Sequence, residues 1–235
     1  ALLFLLVGAR VVITSTDEYL RRRRGAGRRI LIYGAGAGGA LLVCPGERCI
    51  ASKFDHAGLG LAHELRGVAL DRLMSGVTWL GSLALLLPLA GLLAWILFDR
   101  GRRHEAGFVL LALLGSSVLS HVTKLWLMRP RPDLFPAVSA MPGDWSYPSA
   151  HSMQISAAAL ALFLVAGQRR AFPLAVMLLV VALMVGLSRI YLQVHFPSDV
   201  LAGLFAGALW VCGLHALLPC RGIQGDKDRA TGGAA

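Results

Sequence analysis

Charge is scarce in this chain, and acidic charge scarcer still: 15% of its 235 residues are charged, with 13 acidic residues against 23 lysines and arginines. An average soluble domain carries about 25% charged residues, so an ordinary water-exposed globule is excluded. Cysteine is thin as well. Cys44, Cys49, Cys212 and Cys220 form no CxxC pair and stand at no metal-binding spacing with histidine, which removes zinc-ribbon and disulfide-scaffold readings. They read as packing or incidental thiols. What the chain has in quantity is apolar surface, 56% of residues, and this points to an all-α bundle of membrane helices.

The formal charge of +10 comes largely from arginines at 21–24, 28–29, 102–103 and 169–170, each cluster lying between apolar runs. That is the pattern of cytoplasmic loops on a membrane protein, and no nucleic-acid partner is expected. Residues 1–14 are apolar but interrupted by Arg10, too short to cross a core about 30 Å thick unaided. Residues 28–39 read as a basic start, a strand and a GxGxxG turn ending in Gly34-Ala35-Gly36-Ala37-Gly38-Gly39. They resemble the junction between a membrane helix and a Rossmann domain in some polysaccharide-biosynthesis enzymes. A dinucleotide site needs a full helix and a second strand next, and Pro45-Gly46 cuts the helix short. Residues 1–53 are therefore expected to be an atypical segment, holding either a remnant or a first crossing over 30–44.

From Phe54 to Met74, apolar residues recur at near-helical intervals among Asp55, His56, His63, Glu64, Arg66 and Asp71, which predicts an amphipathic interfacial helix. Five apolar segments come after it at about 75–98, 106–126, 149–167, 172–190 and 200–218, each long enough to span. Together 54–219 forms one membrane domain, and 220–235 is a flexible cytoplasmic tail. The arginines fall in the 99–105 and 168–171 linkers and in the tail, so that side is cytoplasmic. The 127–148 and 191–199 linkers then face the periplasm or the exterior. Since the arginines at 21–29 are cytoplasmic by the same rule, something between them and Asp55 must cross, which argues for a sixth helix near 30–50.

Both outward linkers carry polar motifs at the ends of apolar runs. They are K-x6-R-P from Lys124 through Arg131-Pro132, then Pro148-Ser149-Ala150-His151, then S-R-x5-H-x3-D from Ser188-Arg189 through His195 to Asp199. Lys124, Arg131 and Arg189 supply three cations, and the planar arginine fork matches phosphate oxygens. Unpartnered, each would cost about 2.5–3.5 kcal/mol toward the bilayer centre, so an anion is the expected guest. Ser149 stands where a helix begins, whose free N–H groups favour an anion. His151 and His195 have ordinary pKa values of about 6.5, suited to proton transfer and nucleophilic attack near neutrality.

In order and spacing these motifs resemble the type 2 phosphatidic acid phosphatase family, the membrane branch of a superfamily that includes vanadium-dependent haloperoxidases. The resemblance spans about 54–219. It implies that His195 is a nucleophile forming a phosphohistidine, that Asp199 fixes its tautomer, and that His151 protonates the leaving alkoxide. It implies further that Lys124, Arg131, Ser149 and Arg189 hold the phosphoryl oxygens. Ala150 stands where the family has glycine, beside the phosphate-binding backbone, and would be strained if that position needs a positive φ. No metal or cofactor is needed by such a mechanism, and none is expected.

Simpler roles remain open for several residues. Asp199 can cap a helix starting at Val200, alone or in addition. Arg129 lies outside the motif and reads equally as a lipid-headgroup or a substrate contact. His104, His121 and His215 read as packing or surface residues. The chain is expected to act on a lipid phosphate or pyrophosphate at the outer face of the cell (inner) membrane, with undecaprenyl pyrophosphate, phosphatidate and phosphatidylglycerophosphate as candidate substrates. The alternatives are a lipid phosphotransferase, a vanadate-dependent haloperoxidase and an inactive lipid-binding protein.

Overall fold

A computed structural model describes residues 50–166 and 171–220. The GxGxxG stretch, the expected first crossing, the arginines at 21–29 and 169–170 and residues 221–235 of the tail lie outside the described residues. The chain divides into two units, Ala1–Ala57 and Gly58–Ala235, of which the second holds the helical bundle.

The described elements are α1 (Ile50–Glu64), α2 (Val68–Val77), a 3-10 turn (Thr78–Gly81), α3 (Leu83–Asp99), α4 (Arg103–Leu127), α5 (Ala150–Ala166), α6 (Ala171–Tyr191) and α7 (Pro197–Leu217), with no strand among the described residues. The single amphipathic helix expected over 54–74 is thus two helices. Gly67, extended at the N-cap of α2, separates them. The apolar run from 75 is also broken, because Ser82 caps α3 with its hydroxyl, accepting from Ala84 N–H at 3.2 Å. A bend of 44° results between the Val68–Gly81 arm and α3.

By length and composition α4, α6 and α7 are long and apolar enough to cross a membrane, and the bent Val68–Asp99 pair makes a fourth candidate. Their outer faces carry large apolar side chains in the open, among them Trp95, Val118, Leu179 and Phe205. Water would penalise such surface, whereas lipid accepts it. Polar residues go the other way: Ser116, Ser120, Lys124, Ser149, Ser152, Ser188 and Asp199 are all buried.

Helix α5 is central, packed against α3, α4, α6 and α7. It is able to sit there because it presents small residues, Ala157 and Ala161, both fully buried. Helix α7 meets it across Gly203 and Gly207, one turn apart. A methyl at Gly203 would come within 2.6 Å of Ser149 O, and one at Gly207 would strike Met153 O. Glycine at this pair therefore lets the two backbones touch, as small residues do between membrane helices. This close approach brings the N-terminal ends of α5 and α7 together, where Ser149 N–H donates to Asp199 O at 3.0 Å.

Candidate active site

Four helix ends, the C-terminal ends of α4 and α6 and the N-terminal ends of α5 and α7, converge here with the loop between α4 and α5. Lys124 lies in the last turn of α4, which Met128 terminates in the left-handed region with φ 47. The chain then runs irregularly to Ser149 and enters α5. Helix α6 stops after Tyr191, where Gln193 turns left-handed at φ 60 and is held by its side-chain amide donating to Leu59 O at 2.9 Å. A non-glycine residue in this region costs of order 1 kcal/mol, offset here by full burial and that bond. The turn delivers His195 between the ends of α6 and α7.

His195 is buried, 2% exposed. Its Nδ1 is 3.5 Å from Asp199 Oδ2 and 3.5 Å from Ser146 Oγ, while Nε2 faces Arg131 Nη1 at 3.2 Å. A guanidinium only donates, so Nε2 is the acceptor and the proton of the neutral ring belongs on Nδ1. Burial pulls the imidazole pKa down, Asp199 pushes back, and Arg189 and Arg131 lower it further, leaving it at about 4. A neutral ring with its Nε2 lone pair turned toward the cations is the form a nucleophile requires.

Asp199 is completely buried and heavily bonded. It accepts from Arg129 Nη1 at 2.5 Å, Ser146 Oγ at 2.5 Å and Phe196 N–H at 3.0 Å. Helix α7 begins at Pro197, earlier than the expected 200, so Asp199 sits in its first turn and reaches back to the N-terminal backbone. It caps the helix and faces His195 at once.

Lys124 and Arg131 both hold the carboxylate of Asp144, the former at 2.9 Å from Oδ2 and the latter through Nη2 to Oδ1. Burial works against ionisation of Asp144, but hydrogen bonds to Lys124 and Arg131 outweigh it and keep the carboxyl at about 2. Arg131 also donates through Nη1 to Val194 O at 2.6 Å. Arg189, 6% exposed, donates to Thr78 Oγ1 at 2.8 Å, and its buried Nε has no partner among the described residues. An idle N–H on a buried guanidinium is a donor awaiting an acceptor. Ser149 is fully buried, its hydroxyl accepting from Ser152 Oγ at 3.0 Å. His151 lies in the first turn of α5 within electrostatic reach of Arg189, His195, Lys124 and Arg131, and its backbone packs against Gly81. Ala150 opens α5 and is not among the residues with positive φ, so its methyl introduces no backbone strain.

All eight expected residues thus gather in one place. Four others were not identified from the sequence. Arg129, read as an outlying arginine, pairs with Asp199, bonds Ser198 Oγ at 2.8 Å and lies over the Phe196 ring at 4.2 Å. Its only signal was the doubled Arg-Pro of Arg129-Pro130-Arg131-Pro132. Ser146, Asp144 and Thr78 carried none, being common residue types placed by the fold. His63 stacks on Phe135 at 4.2 Å and His215 meets Phe108 edge-on, in keeping with packing roles.

Comparison with known proteins gives a consistent picture. Residues 105–222 match the model of the PAP2 superfamily. The chain is 34% identical over 146 residues to phosphatidylglycerophosphatase B of Bacillus subtilis, covering 60% of this chain and 71% of that protein. It is 30% identical over 129 residues to an undecaprenyl-diphosphatase of Sulfolobus acidocaldarius, covering 53% and 59%. Among solved structures, a transmembrane PAP2-type phosphatidylglycerolphosphate phosphatase from B. subtilis superposes with a TM-score of 0.65 at 31% identity, covering 73% of this chain and 88% of that one.

Proposed function

The chain belongs to the PAP2 superfamily, an integral membrane phosphatase like its relatives, and from that premise we propose that it hydrolyses a lipid phosphate or pyrophosphate through a phosphohistidine on His195. The observation that carries the reading is the set of contacts of one imidazole. Its Nδ1 side is turned to Asp199 and its Nε2 to Arg131, so the Nε2 lone pair points at the cation cluster, where it accepts from Arg131 until a phosphoryl group takes that guanidinium.

A terminal phosphoryl group entering there meets Lys124, Arg131 and the idle Nε of Arg189, with Ser149 at the start of α5. Such groups act mainly by positioning and by neutralising charge on the phosphoryl oxygens. His195 Nε2 attacks phosphorus, the bond to the leaving oxygen breaks, and His151 gives that oxygen a proton. Asp199 stabilises the imidazole as it becomes positive. Water activated by His151, now the base, then attacks the phosphohistidine, releasing inorganic phosphate and regenerating His195.

In this reading five helices cross the membrane, formed by the bent α2–α3 pair and α4 to α7, with a sixth crossing upstream and α1 lying at the interface. The site faces the periplasm or exterior of the cell (inner) membrane, since Arg100, Arg102 and Arg103 mark the opposite side. Residues 54–219 form the phosphatase domain. Phosphatidylglycerophosphate, phosphatidate and undecaprenyl pyrophosphate are the candidate substrates. The test is phosphate release from a panel of these purified lipids by the protein in nanodiscs. Release into water from at least one supports the proposal; turnover only when an acceptor lipid is added makes the protein a transferase, and none on any lipid rejects it.

A further inference from the structure

The cation pair at the mouth of the site already has an anion. Asp144 bridges Lys124 and Arg131 with one carboxylate oxygen on each, the contact pattern a phosphoryl group would make. The cations are buried, with side chains 3% and 8% exposed, whereas that of Asp144 is 42% exposed. The carboxylate thus lies on the water side of the pair. Among the described residues its bonding partners are these two cations. The loop main chain is tied down separately: Asp144 O accepts from Arg131 Nε at 2.9 Å, Ser146 N–H donates to Arg129 O at 2.9 Å, and Ser146 Oγ donates to Asp199. The carboxylate can therefore rotate into water while the loop stays in place.

We propose that Asp144 is a tethered counter-ion that neutralises Lys124 and Arg131 in the empty enzyme, is displaced by the incoming phosphoryl group, and returns to expel product phosphate. The inference rests on the reading of this site as phosphoryl-binding. Two like charges held close in a buried place destabilise each other unless an anion is present. A permanent anion would block the site, and a tethered one is removable. Competition by a tether weakens every ligand that must displace it by the same factor, the inverse of the fraction of time the cations are uncovered. If that fraction is roughly one in ten, substrate KM and the inhibition constant of phosphate are both raised about tenfold.

The experiment uses the full chain in nanodiscs, with Asp144→Asn, which keeps shape and removes charge, and Asp144→Glu, which keeps charge. Asp144→Asn should lower KM and the inhibition constant of inorganic phosphate by a common factor of roughly ten, without raising kcat. Asp144→Glu should restore values near the wild type. Without ligand, Asp144→Asn should melt below the wild type and gain more from added phosphate. Combining it with Lys124→Ala should abolish the gain in phosphate binding measured by calorimetry. Unchanged KM and phosphate affinity, or a fall in kcat with KM unmoved, overturns the counter-ion role. Calorimetry with inorganic phosphate needs no turnover, so the inference is judged even if no lipid phosphate is hydrolysed; that second outcome would count against the proposed function alone.

Discussion

Replacing Arg129 by alanine should damage catalysis although the residue belongs to none of the three motifs. Its guanidinium holds Asp199 Oδ1 at 2.5 Å and Ser198 Oγ at 2.8 Å, against a carboxylate with no solvent exposure. A hydrogen bond to a charged group is worth about 1.5–3 kcal/mol. Ser146 and Phe196 N–H still hold Asp199 in the variant, so the loss should stay below the roughly 10⁴-fold seen when a triad carboxylate is itself replaced. Falling wholly on the transition state, it amounts to about 10- to 100-fold in kcat. A second signature comes from charge. With Arg129 gone, the negative charge of Asp199 acts on His195 undiluted, and the imidazole pKa rises from about 4 toward its ordinary value. The nucleophile must be neutral, so the acid limb of kcat/KM should move to higher pH. Arg129→Lys, which keeps the charge and loses the fork, should recover the pH profile more than the rate. The assay is phosphate release from a lipid phosphate over about pH 4–8, a range that brackets the ordinary histidine value, with expression and melting temperature matched. A kcat within about twofold of the wild type, far short of the loss a charged hydrogen bond implies, together with an unmoved acid limb would refute the reasoning.

Other outcomes are expected. His151→Ala should lose most activity on an alkyl or lipid phosphate and regain a substantial part on an aryl phosphate, whose leaving group needs little protonation; equal loss on both would remove His151 as the acid. An impermeant thiol reagent on intact cells should label a cysteine placed at position 140 and spare one at position 103; the reverse pattern would invert the topology. Because the buried His195 ring stays neutral to about pH 4 while an unfolded histidine takes a proton below about 6.5, the fold should lose stability as pH falls through that window. His195→Gln should flatten that part of the stability curve measured by thermal melting, and an identical curve would show that other groups set it.

The helical class, the main helices and the eight residues that meet at the α5–α7 junction were legible because membrane burial makes polar residues conspicuous. Lys124 or Arg189 at the end of an apolar run stands out as it would not in a soluble protein. Boundaries were harder. The break before Val68 and the bend at Ser82 depend on a cap and a glycine that leave the apolar pattern almost intact. Ser146, Asp144 and Thr78 were invisible, and the partner of Arg129 unreadable, for a different reason. Each acts through contacts with residues far along the chain, such as Arg189 with Thr78, and no local spacing encodes them. At Ala150 the family's glycine suggests a positive φ, and the helical backbone found there removes the strain that would bring.

The central claim is that His195 takes the phosphoryl group, and the most direct measurement is capture of that intermediate. Wild-type protein mixed with an aryl phosphate labelled in its phosphoryl group and quenched in alkali within milliseconds should carry an acid-labile, alkali-stable label that peptide mapping assigns to His195. His151→Ala should still form it, and His195→Ala should not. Label retained in His195→Ala and lost in His151→Ala would exchange the two roles, and an acid-stable label on any residue would contradict the phosphohistidine mechanism.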